Sequence, residues 1–545
     1  MEKTIPVSEG DIIEIETTDL SVDGAGIGRY EGFAVFSEGL LPGERARVEV
    51  TRVTKKYAAA KTLERTQDSP MRRVPPCILA ESCGGCTLQH LQYMGQLQVK
   101  DERIRHELAK AAKIAQINYP LPSPIEFRYR NKTAFPVQQG EGGVKVGCYK
   151  KGTHVVVDTA RCLLQTPAAD RCVNAVSRWM SENGIAPYDE TTHTGLVRHV
   201  LVRCTCFDEV MVGIVTNGDK LPAEKALVRE VRRSAPQVMS IVQNINDRPG
   251  NVILGDRTRT VFGEDTIRER ICGLDFDISL TSFLQVNHGG TELLYTTVEK
   301  LARLLPQETA VDLYCGAGTI SLLLAQHCKK IYGIEIVESA VENAKSNAAL
   351  NGVENAEFLC ADSAEGFSQV LAREPKIDLV VVDPPRKGLS KEVIGHIAKA
   401  VPGRVVYVSC DPATLARDLV LLSEKGYEAS FVQPVDMFPQ TTHVETVCLL
   451  SKLNARQHIE VELNLDEMDL TAVEKKATYQ EIKDYVLEHS GLKVSSLYIA
   501  QVKQKHGIIE RENYNKPKSE DARQPQCPPD KERAITEALK HFGMI

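Results

Sequence analysis

Ala310-Val-Asp312-Leu-Tyr314-Cys-Gly316-Ala-Gly318-Thr-Ile320 reads as a short buried strand, a tight glycine turn and the start of a helix. The apolar run over 322–328 continues that helix, and Ile331-Tyr-Gly-Ile-Glu335 follows as a second strand. Strand, turn, helix and strand make the repeating unit of an open parallel α/β sheet. The glycines let the backbone approach a ligand closely, and an acid closing the second strand can accept hydrogen bonds from a ribose diol. A Gly-x-Gly pair alone is weak, but here strands, helix and acid all fit, so a nucleoside cofactor is expected. The missing third glycine counts against a dinucleotide and favours S-adenosylmethionine.

Three later stretches fall on the same sheet. Ile377-Asp-Leu-Val-Val-Val-Asp383-Pro-Pro-Arg386 is a strand that delivers a rigid corner, because two prolines fix the turn. Val405-Val-Tyr-Val-Ser-Cys410-Asp-Pro puts a thiol at the carboxyl end of another strand, where open α/β sheets bind ligands. A helix begins at Asp411-Pro412, and a helix N-terminus beside a thiol favours the thiolate. Glu445 opens an apolar strand, a place where a carboxylate needs a task or a partner. A lone cysteine at Cys410 is more often a small apolar filler. Its company changes that reading.

Upstream, residues 1–66 alternate short apolar strands with glycine corners such as Gly24-Ala-Gly26-Ile-Gly28, the pattern of a small closed barrel. From Arg45 to Arg73 there are nine Lys/Arg against three acids, and Arg52, Lys55, Lys56 and Tyr57 mix cations with an aromatic ring as single-strand RNA binders do. Cys77, Cys83 and Cys86 then fall within ten residues. In a chain with fifteen cysteines and no cationic-plus-apolar leader, reduced thiols and a metal centre are expected rather than a disulfide framework. Cys148, Cys162 and Cys172 are the nearest candidates for a fourth ligand, and spacing does not choose among them. Four thiolates suit zinc or an iron-sulfur cluster. Residues 88–113 carry helical periodicity, and 120–270 read as an antiparallel β-rich domain. Within it Arg128, Tyr129, Arg130 and Lys132 crowd donors and a ring into one expected strand, which suits RNA or a solvated face equally.

Composition is ordinary for a globular chain, 42% hydrophobic and 26% charged with a net charge of -7, and no apolar run approaches a membrane span. A cytoplasmic protein is expected.

A cofactor loop, an Asp-Pro-Pro corner, a strand-end cysteine and a late carboxylate together fit methylation of an unactivated pyrimidine carbon. Carbon 5 of uracil is a poor nucleophile until a thiolate adds at carbon 6, and a base must afterwards remove the carbon-5 proton. The target base must also be turned out of its RNA fold. Residues 1 to about 453 resemble the uracil-5 RNA methyltransferases in the barrel, the cysteine pattern, Ser282-Phe-Leu-Gln285-Val-Asn287, Asp312-Leu-Tyr314, Asp383-Pro-Pro-Arg386, Ser409-Cys410-Asp411-Pro412 and His443-Val-Glu445. The resemblance implies a TRAM-type barrel and a Rossmann-like class I methyltransferase domain. It implies a 4Fe-4S cluster on Cys77, Cys83, Cys86 and Cys162, S-adenosylmethionine contacts from Gln285, Tyr314, Glu335 and Asp383, Cys410 as nucleophile and Glu445 as base. It further implies that the helix after residue 88 packs on the catalytic domain, and a barrel with a cluster looks more like the ribosomal RNA enzymes than the transfer RNA ones. The expected organisation is a barrel over 1–66, an iron-sulfur and β-rich domain over 67–87 and 120–270, the methyltransferase domain over 88–119 and 271–453, and a helical extension over 454–545.

The expected partner is ribosomal RNA, 23S in the first reading, offering a single-stranded or unfolded uridine loop to a monomer with no membrane association. Transfer RNA is the alternative substrate, and a non-catalytic RNA-binding assembly factor is the reading from another class. A DNA cytosine-5 methyltransferase shares the thiolate chemistry, but its cysteine follows a proline, whereas Ser409 precedes Cys410. In the extension, Thr478-Tyr-Gln-Glu481 predicts a capped helix with Ile482, Tyr485, Val486 and Leu487 on its apolar face, and Ser495-Ser496 a second helix carrying Lys503, Lys505 and His506. A third runs from about 530 to 542. The first two match a helix-turn-helix layout, which raises an additional RNA contact as an expectation beside simple docking.

Overall fold

The computed structural model describes residues 5–111, 114–452, 479–505 and 527–541. The chain divides into two compact units, 1–459 and 460–545.

The first unit begins with a closed five-stranded barrel of Ile12–Leu20, Gly26–Tyr30, Phe33–Ser37, Arg45–Val53 and Tyr57–Gln67. Alternation along Ile12–Leu20 sends Ile13 and Ile15 inward, against Val35, Val48 and Ala58. Gly26 is required at its corner, since a Cβ there would lie 2.8 Å from both Leu40 Cβ and Thr17 Cγ2. Arg45, Arg47, Arg65 and Arg72 are spent on Glu16, Glu64, Asp68 and Glu44. Arg52, Lys55 and Lys56 are exposed and in no ion pair among the described residues, so the available cations concentrate at the 52–57 turn beside Tyr57.

A seven-stranded sheet follows, in the order Arg257–Gly263, Val238–Ile245, Val210–Thr216, Val197–Cys204, Lys132–Gly140, Gly143–Tyr149, Val156–Asp158. The antiparallel expectation is corrected here. Val210–Thr216 and Val238–Ile245 are parallel, and a parallel pair needs a crossover, which helix Glu224–Ser234 supplies. That helix and Pro167–Glu182 share the sheet's core through Trp179, Leu227 and Val231. Residues 127–131 also differ from the expected strand: Arg128 has φ 61°, and its guanidinium donates to the carbonyls of Cys162 and Gln165 and to Asp170. Tyr129 is buried and donates to the Pro439 carbonyl at 3.0 Å. Both side chains hold structure and offer no face to a base.

The second seven-stranded sheet runs Ala356–Cys360, Lys330–Glu335, Thr309–Leu313, Leu379–Val382, Arg404–Ser409, Glu445–Lys452, Tyr427–Val435. The first five are parallel, and Glu445–Lys452 is antiparallel to both of its neighbours. The strand order reverses between Thr309–Leu313 and Leu379–Val382, which opens a crevice at their carboxyl ends. The helix expected from residue 88 spans Tyr93–Leu108 and shares this sheet's core through Ile104 and Leu108, with Leu415 and Leu419. Lys100 and Asp436, both wholly buried, form an ion pair at 2.6 Å, and Gln96 exchanges hydrogen bonds with Gln440. Ile114, Ile117 and Leu121 then bridge to Ala429, Val432 and Val435 along the edge strand.

The second unit packs helices Tyr479–Ser490, Ser496–Lys505 and Pro529–His541 around Ile482, Val486, Ile499, Val502, Ile535 and Leu539. It is a three-helix core rather than a bare helix pair. Leu487 is exposed instead of on the apolar face, Lys503 is buried, and Lys505 pairs with Glu532 at 2.6 Å. The expected cationic footprint of the second helix is therefore used internally; Thr478 and His506 lie outside the described residues. No helix among the described residues is long and apolar enough to cross a membrane.

Candidate active site

The crevice is built from strand ends. Gly316 and Gly318 have φ 55° and 83°, so the chain turns left-handed twice before helix Thr319–Ala325. A Cβ at Gly316 would meet no atom within 4 Å, so this backbone faces open space; one at Gly318 would press on Ala344 and Phe358. Glu335 braces the turn, accepting the Gly316 N–H at 3.2 Å and the Val337 N–H at 2.9 Å. Next to it Ile336 is 66% exposed, an apolar cover for a flat ring. Tyr314 stands at φ 69° with its N–H on the Ile334 carbonyl. Asp312 lies beneath the turn, wholly buried, accepting from Ser321 Oγ at 2.5 Å, and burial raises its carboxyl to about 7.

Gln285 is buried in the irregular segment before helix His288–Ala302. Asn131 holds this segment through the Gln285 carbonyl at 3.1 Å, and the buried Arg203 guanidinium donates to the carbonyls of Leu280 and Ser282. Phe283, 67% exposed, offers a ring on which an unstacked base can lie.

Asp383 closes its strand with its N–H toward the Leu313 carbonyl at 3.4 Å, and desolvation raises its carboxyl to about 7. Cys410 and Glu445 come from neighbouring strands: Ser409 pairs with Thr446, so the next residue of each chain meets at the rim. Burial, then the charge of Asp383, pushes Glu445 up to about 8, with Arg386 opposing. Burial, Glu445 and Asp383 push Cys410 up to about 11. The expected pull of the helix N-terminus towards the thiolate is opposed by that burial and by the Glu445 and Asp383 carboxylates. Asp411 caps the same helix, accepting from Ala413 and Thr414.

Cys77, Cys83, Cys86 and Cys162 converge on one cavity of about 160 Å³, with Cys148 as a fifth thiol in its wall. A Cβ at Gly85 would come within 3.3 Å of Cys148 Sγ and 3.5 Å of Cys83 Sγ, so the backbone there runs close against the sulfurs. Gln89 accepts the Cys77 N–H, and Asp170 accepts the Cys162 N–H. Cys172, the third downstream candidate, is instead buried in the core of the central sheet.

The family model described as tRNA (Uracil-5-)-methyltransferase matches residues 256–453, and the TRAM domain model matches 6–63. An uncharacterized RNA methyltransferase of Halalkalibacterium halodurans is 42% identical over 452 residues, 82% of this chain and 99% of that protein. One from Clostridium acetobutylicum is 40% identical over 459 residues, 83% of this chain and all of the other. The chain belongs to this RNA methyltransferase family. The crystal structure of Pyrococcus abyssi tRNA (uracil-54, C5)-methyltransferase in complex with S-adenosyl-L-homocysteine is similar, with TM-score 0.64, 28% identity, 80% of this chain and all of that one covered.

Three relationships at this RNA methyltransferase site, though not every residue in them, escape sequence reasoning. Asp418 is buried and accepts from Leu389 N–H, Tyr407 O–H and the Arg417 guanidinium, which locks the Pro384-Pro385 corner to the Cys410 helix. His443 is half-buried, and burial, then the charges of Arg386, Arg103, Lys100 and Arg130, lower its pKa. Arg130 has a buried Nε without a partner. Arg103 and Arg130 come from segments some three hundred residues away, and no local pattern links them to Cys410.

Proposed function

We propose that this enzyme transfers a methyl group from S-adenosylmethionine to carbon 5 of a uridine in ribosomal RNA, through a covalent adduct on Cys410. The observation that carries the reading is the meeting of Cys410 and Glu445 on adjacent strand ends beside Asp383. S-adenosylmethionine supplies an electrophilic methyl sulfonium. In this reading Gly316, Tyr314 and Glu335 border the space for its nucleoside half, and Gln285 and Asp383 contact the remainder of the molecule. Cys410 loses its proton to solvent as its sulfur bonds to carbon 6, which places enolate character at carbon 5; carbon 5 then bonds to the methyl group as the sulfonium–methyl bond breaks, leaving S-adenosylhomocysteine. Glu445, as carboxylate, takes the carbon-5 proton, the 5,6 double bond re-forms, the carbon–sulfur bond breaks and Cys410 leaves as thiolate, to be reprotonated from solvent. The charges of Arg386, Arg103 and Arg130 that act on His443 and the cations at 52–57 suit the RNA backbone.

The cysteine cavity suits a 4Fe-4S cluster held by Cys77, Cys83, Cys86 and Cys162: its donors are all thiols, and its room exceeds what one zinc ion fills. Methyl transfer needs no electron from it, so its role is to fix the barrel-proximal segment against the central sheet. Transfer RNA is the second reading, favoured by the substrate of the Pyrococcus abyssi relative. Mapping 5-methyluridine in ribosomal and transfer RNA from cells with and without this protein tests the choice. Loss of a ribosomal 5-methyluridine supports the proposal; loss confined to transfer RNA overturns it. Cys410→Ala should abolish product and leave cofactor binding by calorimetry intact.

A further inference from the structure

A second cluster of donors lies outside both the crevice and the cysteine cavity. Cys206 sits in the turn after strand Val197–Cys204, Glu269 on strand Thr266–Ile271, and His288 is the first residue of helix His288–Ala302. One ligand atom from each falls within 4.8 Å of the other two. Glu269 is 1% exposed. Its Oε1 accepts the Cys206 and Arg270 N–H groups, both at 3.0 Å, while its Oε2 is buried with no hydrogen-bond partner. His288 Nδ1 is likewise buried and unpartnered, 3.6 Å from Glu269 Oε1. Glu269 Oε2 and His288 Nδ1, each buried and without a hydrogen-bond partner among the described residues, lie beside a thiol and are costly to leave so unless something positive takes their lone pairs.

On the far side of the imidazole, Glu292 Oε2 lies 3.8 Å from Nε2, and Glu292 Oε1 is fixed by the Cys272 N–H at 3.1 Å. A carboxylate behind a ligating histidine, holding its other ring N–H, is the usual outer support of a metal-bound imidazole. Cys206 is solvent-exposed, which gives an ion a way in.

We propose that Cys206 Sγ, Glu269 Oε2 and His288 Nδ1 bind one zinc ion, with water in the fourth position. A sulfur, a nitrogen and a carboxylate oxygen form a borderline-soft set that suits zinc better than magnesium or calcium. With bonds of about 2.0–2.3 Å, tetrahedral ligands stand roughly 3.3–3.8 Å apart, so the three groups close by about 1 Å on binding. Cys206 releases its proton to solvent as the zinc–sulfur bond forms. The ion ties the central sheet to the helix that begins three residues after Gln285, and so steadies the crevice wall.

The test uses full-length, cluster-loaded protein, freed of loosely held metal with a chelator under anaerobic conditions and titrated with zinc chloride by calorimetry. One zinc per chain is expected, with affinity at least about tenfold lower in Cys206→Ser and in His288→Ala. X-ray absorption at the zinc edge should show one sulfur among nitrogen and oxygen neighbours, and zinc should raise the melting temperature of the wild type alone. Cys206 is on an exposed turn, so its serine variant should melt like the wild type in chelator. No zinc uptake, equal uptake by both variants, or a shell of sulfur only, which would put the ion in the cysteine cavity, overturns the proposal.

Discussion

Tyr407 donates its hydroxyl to the buried carboxylate of Asp418 at 2.8 Å, joining the strand that leads to Cys410 to the helix that leaves it. The same oxygen accepts the Leu389 N–H at 2.8 Å, so one carboxylate sets the Pro-Pro corner and the nucleophile together. Asp418→Ala would leave the tyrosine hydroxyl, an amide and part of the Arg417 guanidinium without an acceptor. We predict a loss of about 2–4 kcal/mol, read by denaturant unfolding, and a fall in kcat larger than any change in cofactor affinity. Unchanged stability would show that the corner is held elsewhere.

The acids of the crevice make a pH prediction. Glu445 rises from an ordinary 4.5 to about 8, and Asp312 from 3.8 to about 7. A carboxyl that holds its proton more tightly when folded favours the folded state while protonated. That contribution is full below about 4.5 and is lost as pH rises through about 8. The cofactor-free enzyme should therefore melt progressively lower from pH 5 to pH 8, and Glu445→Gln should recover on the order of 1–3 kcal/mol at pH 8 and little at pH 5. Identical pH dependence in the two proteins would contradict the buried, raised carboxyl.

For the cysteine cavity, anaerobically purified protein should be brown, with iron and sulfide in equal amounts, and Cys83→Ser or Cys162→Ser should lose both. Cys148→Ser should keep them, because four thiols already complete the ligand set. Zinc held through Cys83 and Cys162 in place of iron would contradict the assignment.

Much of this architecture is legible in short-range pattern. Period-2 alternation gives Ile12–Leu20 and its barrel, and strand, glycine turn and acid give Thr309–Leu313 through Glu335, because those features follow from local backbone demands. Pairings of distant segments are not. The parallel Val210–Thr216 and Val238–Ile245 pair reads locally like any two strands, and only the crossover distinguishes it. Arg128 and Tyr129 look like a recognition surface until φ 61° turns the chain and aims them inward. Cys410 shows the same limit in its chemistry. A helix N-terminus is visible in the sequence, but the burial and the Glu445 and Asp383 carboxylates that push the thiol up are brought to it only by the fold.

The most direct test of the covalent mechanism is mass spectrometry of Glu445→Gln incubated with S-adenosylmethionine and the RNA substrate. With the base removed, elimination should slow by about 10²–10⁴. A peptide containing Cys410 should then carry a uridine nucleotide already bearing the added methyl group, in a complex that survives denaturing electrophoresis. Methylated RNA released at the wild-type rate, with Cys410 unmodified throughout, would contradict the account.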